Sequence, residues 1–237
     1  MSAHARLGPS SASRWLSCPA SVNMCEQVPK RGGGAAAQAG TIMHAVFERI
    51  MLGQDHIRED ECDELTDLDW DPSYAVKLID QSIVAARAAL KRYGLSEFLT
   101  ETRVNPGVRF GRSDLWGTAD LIAADERSGI LLVGDLKTGR GRVDVNFNDQ
   151  MLTYAVGALD IITFVPKRIV LAIFQPVVLG TNPGLFETDM ATIREFEEFL
   201  RTQAALTDVP DLEPTPDDYA CRWCPAKPIC KFHATPA

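Results

Sequence analysis

The C-terminal cysteines constrain this chain more than any other feature. Cys221, Cys224 and Cys230 form C-x2-C-x5-C within the last seventeen residues. Pro225 and Pro228 exclude a regular helix there and can turn several thiolates toward one point. A fourth ligand has to come from elsewhere. Cys18 is best placed, in Ser11-Ala-Ser-Arg-Trp-Leu-Ser-Cys-Pro19, where a Ser cap opens a short helix and Pro19 follows the thiol. Cys25 is the reserve ligand and Cys62 a bystander.

What the thiols hold depends on compartment. No run approaches the roughly eighteen apolar residues of a membrane span, and Met1 to Pro9 lacks the apolar stretch of a secretory signal. The chain is therefore read as soluble and cytoplasmic, with no membrane partner, and six cysteines then favour metal over disulfides. Zn²⁺ and an iron–sulfur cluster both accept four thiolates, and spacing does not choose between them. A small zinc knuckle, a redox disulfide and buried free thiols are the plainer alternatives.

At 237 residues, 46% hydrophobic and 24% charged, the chain is long enough for one large domain with a substantial core. Its net charge of −8 argues against a broad electrostatic grip on nucleic acid. Local distribution differs. Asp55 to Asp71 gathers acid, whereas Lys137, Arg140 and Arg142 crowd a Gly-containing segment able to meet phosphate.

Periodicity predicts the element order. After a connector, Arg31-Gly-Gly-Gly-Ala-Ala-Ala, a helix runs from Gly40 to Gln54 with Ile42, Val46 and Ile50 on its apolar stripe. Residues 55–72 are predicted as an acidic surface loop. A longer helix covers 73–93, stopped by Gly94. Strands follow at 98–104, 115–124 and 130–136, the last two joined as a hairpin by Asp125-Glu-Arg-Ser-Gly129. Then come a helix at 146–162, a strand at 168–178, a short strand at 186–188, a helix at 192–206 and a Pro-rich linker at 210–216. The implied class is α/β, of α+β character: a mixed sheet flanked by helices.

Two adjacent strands carry the chemistry: Gly117-Thr-Ala-Asp120, and Gly134-Asp135-Leu136-Lys137-Thr-Gly139. Side chains alternate along a strand, so Asp135 and Lys137 share a face while Leu136 points into the core and offers its carbonyl nearby. Asp120 lies in an otherwise apolar strand, where a carboxylate is costly unless paired or coordinated. Two carboxylates and a carbonyl are hard oxygen ligands suited to Mg²⁺ or Mn²⁺. A nearby lysine can stabilise the charge that builds on a phosphoryl group. Alone, D-x-K is equally a surface ion pair. Gln150 and Tyr154, four apart on a helix and hence on one face, accompany it, as do His44 with Glu48 a turn later, and Glu101 in the first strand.

In this order, His44, Glu101, G-x-x-D ending at Asp120, D-x-K at Asp135 to Lys137 and Q-x-x-x-Y at Gln150 to Tyr154 resemble the RecB-like branch of the PD-(D/E)xK nuclease superfamily. The cysteine pattern resembles that branch's iron–sulfur members. The matching motifs run from Cys18 to Cys230. The resemblance implies a restriction-endonuclease-like core at 40–206, preceded by an N-terminal segment at 9–30 and followed by a cysteine segment at 210–237, all in one domain spanning 1–237. It implies that Asp120, Asp135 and the Leu136 carbonyl bind metal with His44 close by, and that Lys137 is catalytic. It further implies that Gln150 and Tyr154 orient phosphate and water, and that Glu101 is the carboxylate of the first core strand. It also tips the Cys18, Cys221, Cys224 and Cys230 site toward [4Fe-4S] over Zn²⁺. Such a cluster would staple segments about two hundred residues apart and remove much unfolded-state entropy.

The chain departs from the family name, with Ala119 rather than proline before Asp120, and it carries no Walker loop, so any unwinding falls to a helicase partner. The expected activity is metal-dependent DNA hydrolysis, exonucleolytic on single strands or ends, in recombination, repair or phage DNA metabolism. A helicase, recombinase or annealing protein is the implied partner class, and oligomeric state is left open. The alternatives are a non-catalytic DNA-end or partner-binding module, and a zinc-site interaction protein with a coincidental D-x-K. A metalloprotease is disfavoured, since His4, His44, His56 and His233 form no H-x-x-x-H pair.

Overall fold

A computed structural model describes residues 5–29 and 32–233. Arg31, at which the predicted connector begins, lies outside the described residues, as does His4. The sheet has five strands in sequence order: β1 (Leu99–Val104), β2 (Gly117–Asp125), β3 (Ile130–Leu136), β4 (Arg168–Phe174) and β5 (Gly184–Thr188). All neighbours are antiparallel except β3 and β4, which run parallel. That parallel pair needs a crossover, supplied by helix α6 (Asp149–Ala158). The expected mixed sheet flanked by helices is the architecture observed.

The remaining helices are α1 (Ala12–Ser17), α2 (Ala20–Glu26), α3 (Ala35–Met51), α4 (Glu59–Asp67), α5 (Pro72–Tyr93), α7 (Pro176–Leu179), α8 (Met190–Leu206) and α9 (Asp218–Arg222). One core layer packs α1, α6 and α8 on one sheet face through Trp15, Leu152, Val156, Ile193 and Leu200, against Leu131, Val133 and Leu171. The other packs α3 and α5 through Met43, Phe47, Ile79 and Ala86 against Leu132, Ala172 and Phe174. The alternation Leu131/Leu132/Val133 thus feeds two cores from one strand. Burying side chains of the size of Trp15 or Phe47 stabilises by roughly 1.5–3 kcal/mol each.

Several predicted boundaries move, among them the helix expected at 146–162, which spans Asp149–Ala158. Residues 55–72 are not all loop, because α4 forms there. Its first turn holds Glu59, Asp60 and Glu61 at the positive end of the helix dipole, and Leu65 is its buried residue. The helix predicted from Gly40 begins at Ala35, the alanines extending it backwards. The strand predicted to residue 178 ends at Phe174, since Pro176 has no N–H for the ladder and opens α7 instead. The helix at 73–93 is framed as expected. Asp71 caps Ser73 N at 2.9 Å, Pro72 occupies the first turn, and Gly94 takes the left-handed conformation at φ 66°.

N- and C-terminal segments meet. Arg6 reaches Asn23, Thr207 and Asp208, and the Thr215 hydroxyl donates to the Ser17 carbonyl. No helix of the described residues is long and apolar enough to cross a membrane.

Candidate metal centre and thiol recess

The site forms where β2 begins and β3 ends, between α3 and α6. Strand register makes the first juxtapositions. Thr100 pairs with Leu121 and Thr102 with Ala119, which sets Glu101 across from Asp120. Leu121 pairs with Gly134, and at the next position Asp120 adjoins Asp135. From α3, His44 Nδ1 reaches Asp120 Oδ1 at 3.0 Å and Glu101 Oε1 at 4.0 Å. Among the described residues, His44, Glu101 and Asp120 form the one set of three or more His, Cys, Asp or Glu ligand atoms lying within 4.8 Å of one another. Glu101 holds this position with φ 43°, a strained backbone for a non-glycine residue in a strand.

Asp120 is fixed from its other side, since its Oδ2 accepts the Leu136 backbone N–H at 2.6 Å. Leu136 itself is buried, as strand alternation predicts. Lys137 continues the pairing beyond β3 through its N–H to the Phe174 carbonyl at 2.9 Å, which fixes its backbone at the C-terminal end of the central strand. The ammonium stands 2.8 Å from Asp135 Oδ2 and donates to Gln150 Oε1 at 2.8 Å. Gln150 Nε2 donates to Asp135 Oδ1 at 2.8 Å and to the Tyr154 hydroxyl at 3.2 Å. The helical i, i+4 spacing therefore delivers both polar groups to one point, and the Asn148 side chain caps that helix at Met151 N.

Charge crowding sets the protonation states. Burial opposes charge on His44, but the Asp120 charge and hydrogen bond, joined by Asp135 and Glu101, overcome it and raise the imidazole to about 9. Burial and repulsion from Asp120 raise Glu101 to about 7 against the pull of His44. Burial pushes the Asp135 carboxyl up, countered by Lys137, and burial likewise raises the Tyr154 hydroxyl. Asp135 Oδ2 is buried and ion-paired with the Lys137 ammonium at 2.8 Å. A carboxylate so placed, beside two more carboxylates and an imidazole, is a donor set suited to a hard divalent cation.

Arg140 and Arg142 occupy the exposed loop after Lys137. Arg142 faces a groove that also includes Lys137 and Gln150.

Cys18, Cys221, Cys224 and Cys230 line one recess together with Arg14 and His233. All six cysteines are free thiols. Two sulfurs receive backbone donors, Thr215 N to Cys18 Sγ and Asp217 N to Cys221 Sγ, each at 3.4 Å. Cys25 sits just behind, 3.4 Å from Arg14 Nη1. Its thiol interacts with Cys224, and that contact with the Arg14 charge outweighs burial and lowers it to about 6.

A family model described as a protein of unknown function, DUF2800, matches residues 4–236. The chain belongs to the DUF2800 family. Among solved structures, it is similar to the crystal structure of SSO0001, at 16% identity and a TM-score of 0.36, over 94% of this chain and 98% of that one. It is also similar to a candidate exonuclease from Eubacterium rectale, at 11% identity and a TM-score of 0.47, over 96% of this chain and 86% of that one.

In this DUF2800 chain one positioning residue escaped the sequence reading. Gln175, 1% exposed, donates to the carbonyls of Gly139 and Gly141 at 2.9 and 2.6 Å and accepts Val143 N at 3.0 Å, fixing the loop that carries Arg140 and Arg142. Its only sequence signal is a polar residue between an apolar strand and Pro176.

Proposed function

We propose that this DUF2800 chain is a metal-dependent DNA nuclease with a restriction-endonuclease-like core, akin to the iron–sulfur, RecB-like branch of the PD-(D/E)xK superfamily. The observation that carries the proposal is the contact of Lys137 with both Asp135 and Gln150, beside the His44, Glu101 and Asp120 group.

Asp120, Asp135 and the Leu136 carbonyl would hold Mg²⁺ or Mn²⁺, with His44 and Glu101 adjoining. The ion supplies Lewis-acid neutralisation of charge on the phosphoryl oxygens and on the departing oxygen. Lys137 contributes a fixed cation at the same point, preorganised by its two partners, so that little reorganisation accompanies the charge build-up. Gln150 holds the ammonium and the Asp135 carboxylate in register, and Tyr154 keeps the Gln150 amide turned toward them.

The four thiols around the recess would hold [4Fe-4S], with Zn²⁺ as the alternative occupant, and the group would tie the N-terminal segment to the C-terminal one. Two backbone N–H donors already aimed at sulfur support that assignment. The substrate class is single-stranded DNA or DNA ends, processed exonucleolytically in the cytoplasm of a bacterium or phage-infected cell, alongside a helicase, recombinase or annealing protein.

The test is degradation of end-labelled single-stranded and duplex DNA with Mg²⁺, Mn²⁺ or chelator. Shortening that requires the ion supports the nuclease. Metal-independent binding without cleavage by folded protein replaces it with the non-catalytic DNA-end module.

A further inference from the structure

The groove that opens beside Lys137 has a volume of about 370 Å³, ample for part of a flexible ligand. It is walled by segments distant in sequence: Pro9 to Ser13, residues 142–150 leading into α6, and Tyr219 from α9. Two of its wall residues are large aromatics held in solvent, Phe147 at 63% and Tyr219 at 70% exposure. Exposing an aromatic ring is unfavourable in isolation. Phe147 is also held at φ 49°, a left-handed conformation rare for a bulky residue, and its ring leans on Phe186 at 4.7 Å between centroids.

The charged lining holds two cations and two carboxylates. Arg142 and Lys137 contribute cations. Of the two carboxylates, Asp144 is already engaged by the backbone and side-chain N–H groups of Asn146, and Asp149 is part-buried in the first turn of α6.

From this we infer that the groove is a single-stranded DNA subsite, in which Phe147 and Tyr219 stack on unpaired bases and Arg142 meets the backbone leading to Lys137. The inference rests on the nuclease proposal for the identity of the ligand, and adds to it the path of the strand and its stacking partners. In a duplex, neighbouring base pairs cover each base face, so exposed aromatic walls reward only unstacked nucleotides. The stacking is sequence-tolerant, as an exonuclease requires.

The experiment is fluorescence anisotropy of a labelled thymidine oligonucleotide and a blunt duplex of equal length, in chelator so that no cleavage enters the readout. The proteins are wild type, Phe147→Ala, Tyr219→Ala and, as an off-groove control, Phe199→Ala, each checked for an unchanged thermal transition. Each groove substitution is expected to weaken single-strand binding roughly tenfold, with the control at wild-type affinity and the duplex bound more weakly by every protein. Undiminished single-strand binding by both groove variants, equal affinity of the wild type for the duplex, or no wild-type binding would each overturn the inference. A chain that binds in this pattern yet cleaves nothing when Mg²⁺ or Mn²⁺ is supplied would sink the nuclease proposal and leave the subsite standing.

Discussion

The amide oxygen of Gln150 accepts a hydrogen bond from the Lys137 ammonium at 2.8 Å, while the same amide donates to Asp135. One side chain thereby fixes both members of D-x-K. Gln150→Ala is expected to lower kcat for DNA cleavage by roughly 10- to 100-fold, as losses of outer-sphere partners do, with KM little changed. Steady-state kinetics at saturating Mn²⁺ checks this. Gln150→Glu, which keeps the acceptor for Lys137 but sets a carboxylate against Asp135, should not restore the rate.

Cation binding should compete with protons. His44, raised to about 9, and Glu101, raised to about 7, both hold protons that a divalent ion has to displace. Affinity for Mn²⁺ or Ca²⁺ measured by calorimetry should therefore rise from pH 6.5 to pH 8.5, with proton release. In the metal-free protein the sign follows from linkage. The folded pKa of His44 exceeds its unfolded value, so its stabilisation is complete below about 6.5 and is lost as pH rises through about 9. The thermal transition of the wild type should fall over that window more steeply than that of His44→Ala.

How much of this was legible in the sequence differs by element. β3 was readable to the residue because its run Ile130 to Leu136 is apolar on both faces apart from Gly134 and Asp135, and a strand covered on both sides has to look that way. α4 was not, since a helix that buries little beyond Leu65 leaves almost no apolar period to read. In the site, alternation alone placed Asp135 with Lys137, and helical spacing placed Gln150 with Tyr154. The turn of Glu101 into φ 43° and the grip of Gln175 on three backbone groups arise from tertiary contacts that no local pattern encodes.

Gln175→Ala removes three hydrogen bonds and leaves Val143 N and two carbonyls to find other partners. The expected cost is about 1–3 kcal/mol, read from urea unfolding. The loop 139–143 should also become protease-sensitive, and Gln175→Glu, which loses the amide donors, should not rescue it.

Gly117 admits no side chain: a Cβ there would lie 2.7 Å from Pro9 and 2.9 Å from the Tyr154 ring. Gly117→Ala is expected to destabilise by about 1–3 kcal/mol through overpacking. Because Tyr154 yields with it, cleavage should drop even under conditions where the variant stays folded, which circular dichroism and kinetics on one preparation would show.

The central claim is that Asp120, Asp135 and Lys137 form one metal-dependent hydrolytic centre. The most direct measurement is single-turnover cleavage of end-labelled single-stranded DNA in Mn²⁺ by anaerobically purified wild type, Asp120→Asn, Asp135→Asn and Lys137→Ala, each confirmed to be folded. The account predicts cleavage by the wild type that chelator abolishes, and a loss of about 10²- to 10³-fold in each variant, the size seen when a preorganised charge-stabilising group is removed. Wild-type rates in any folded variant, or cleavage that persists in chelator, would contradict it.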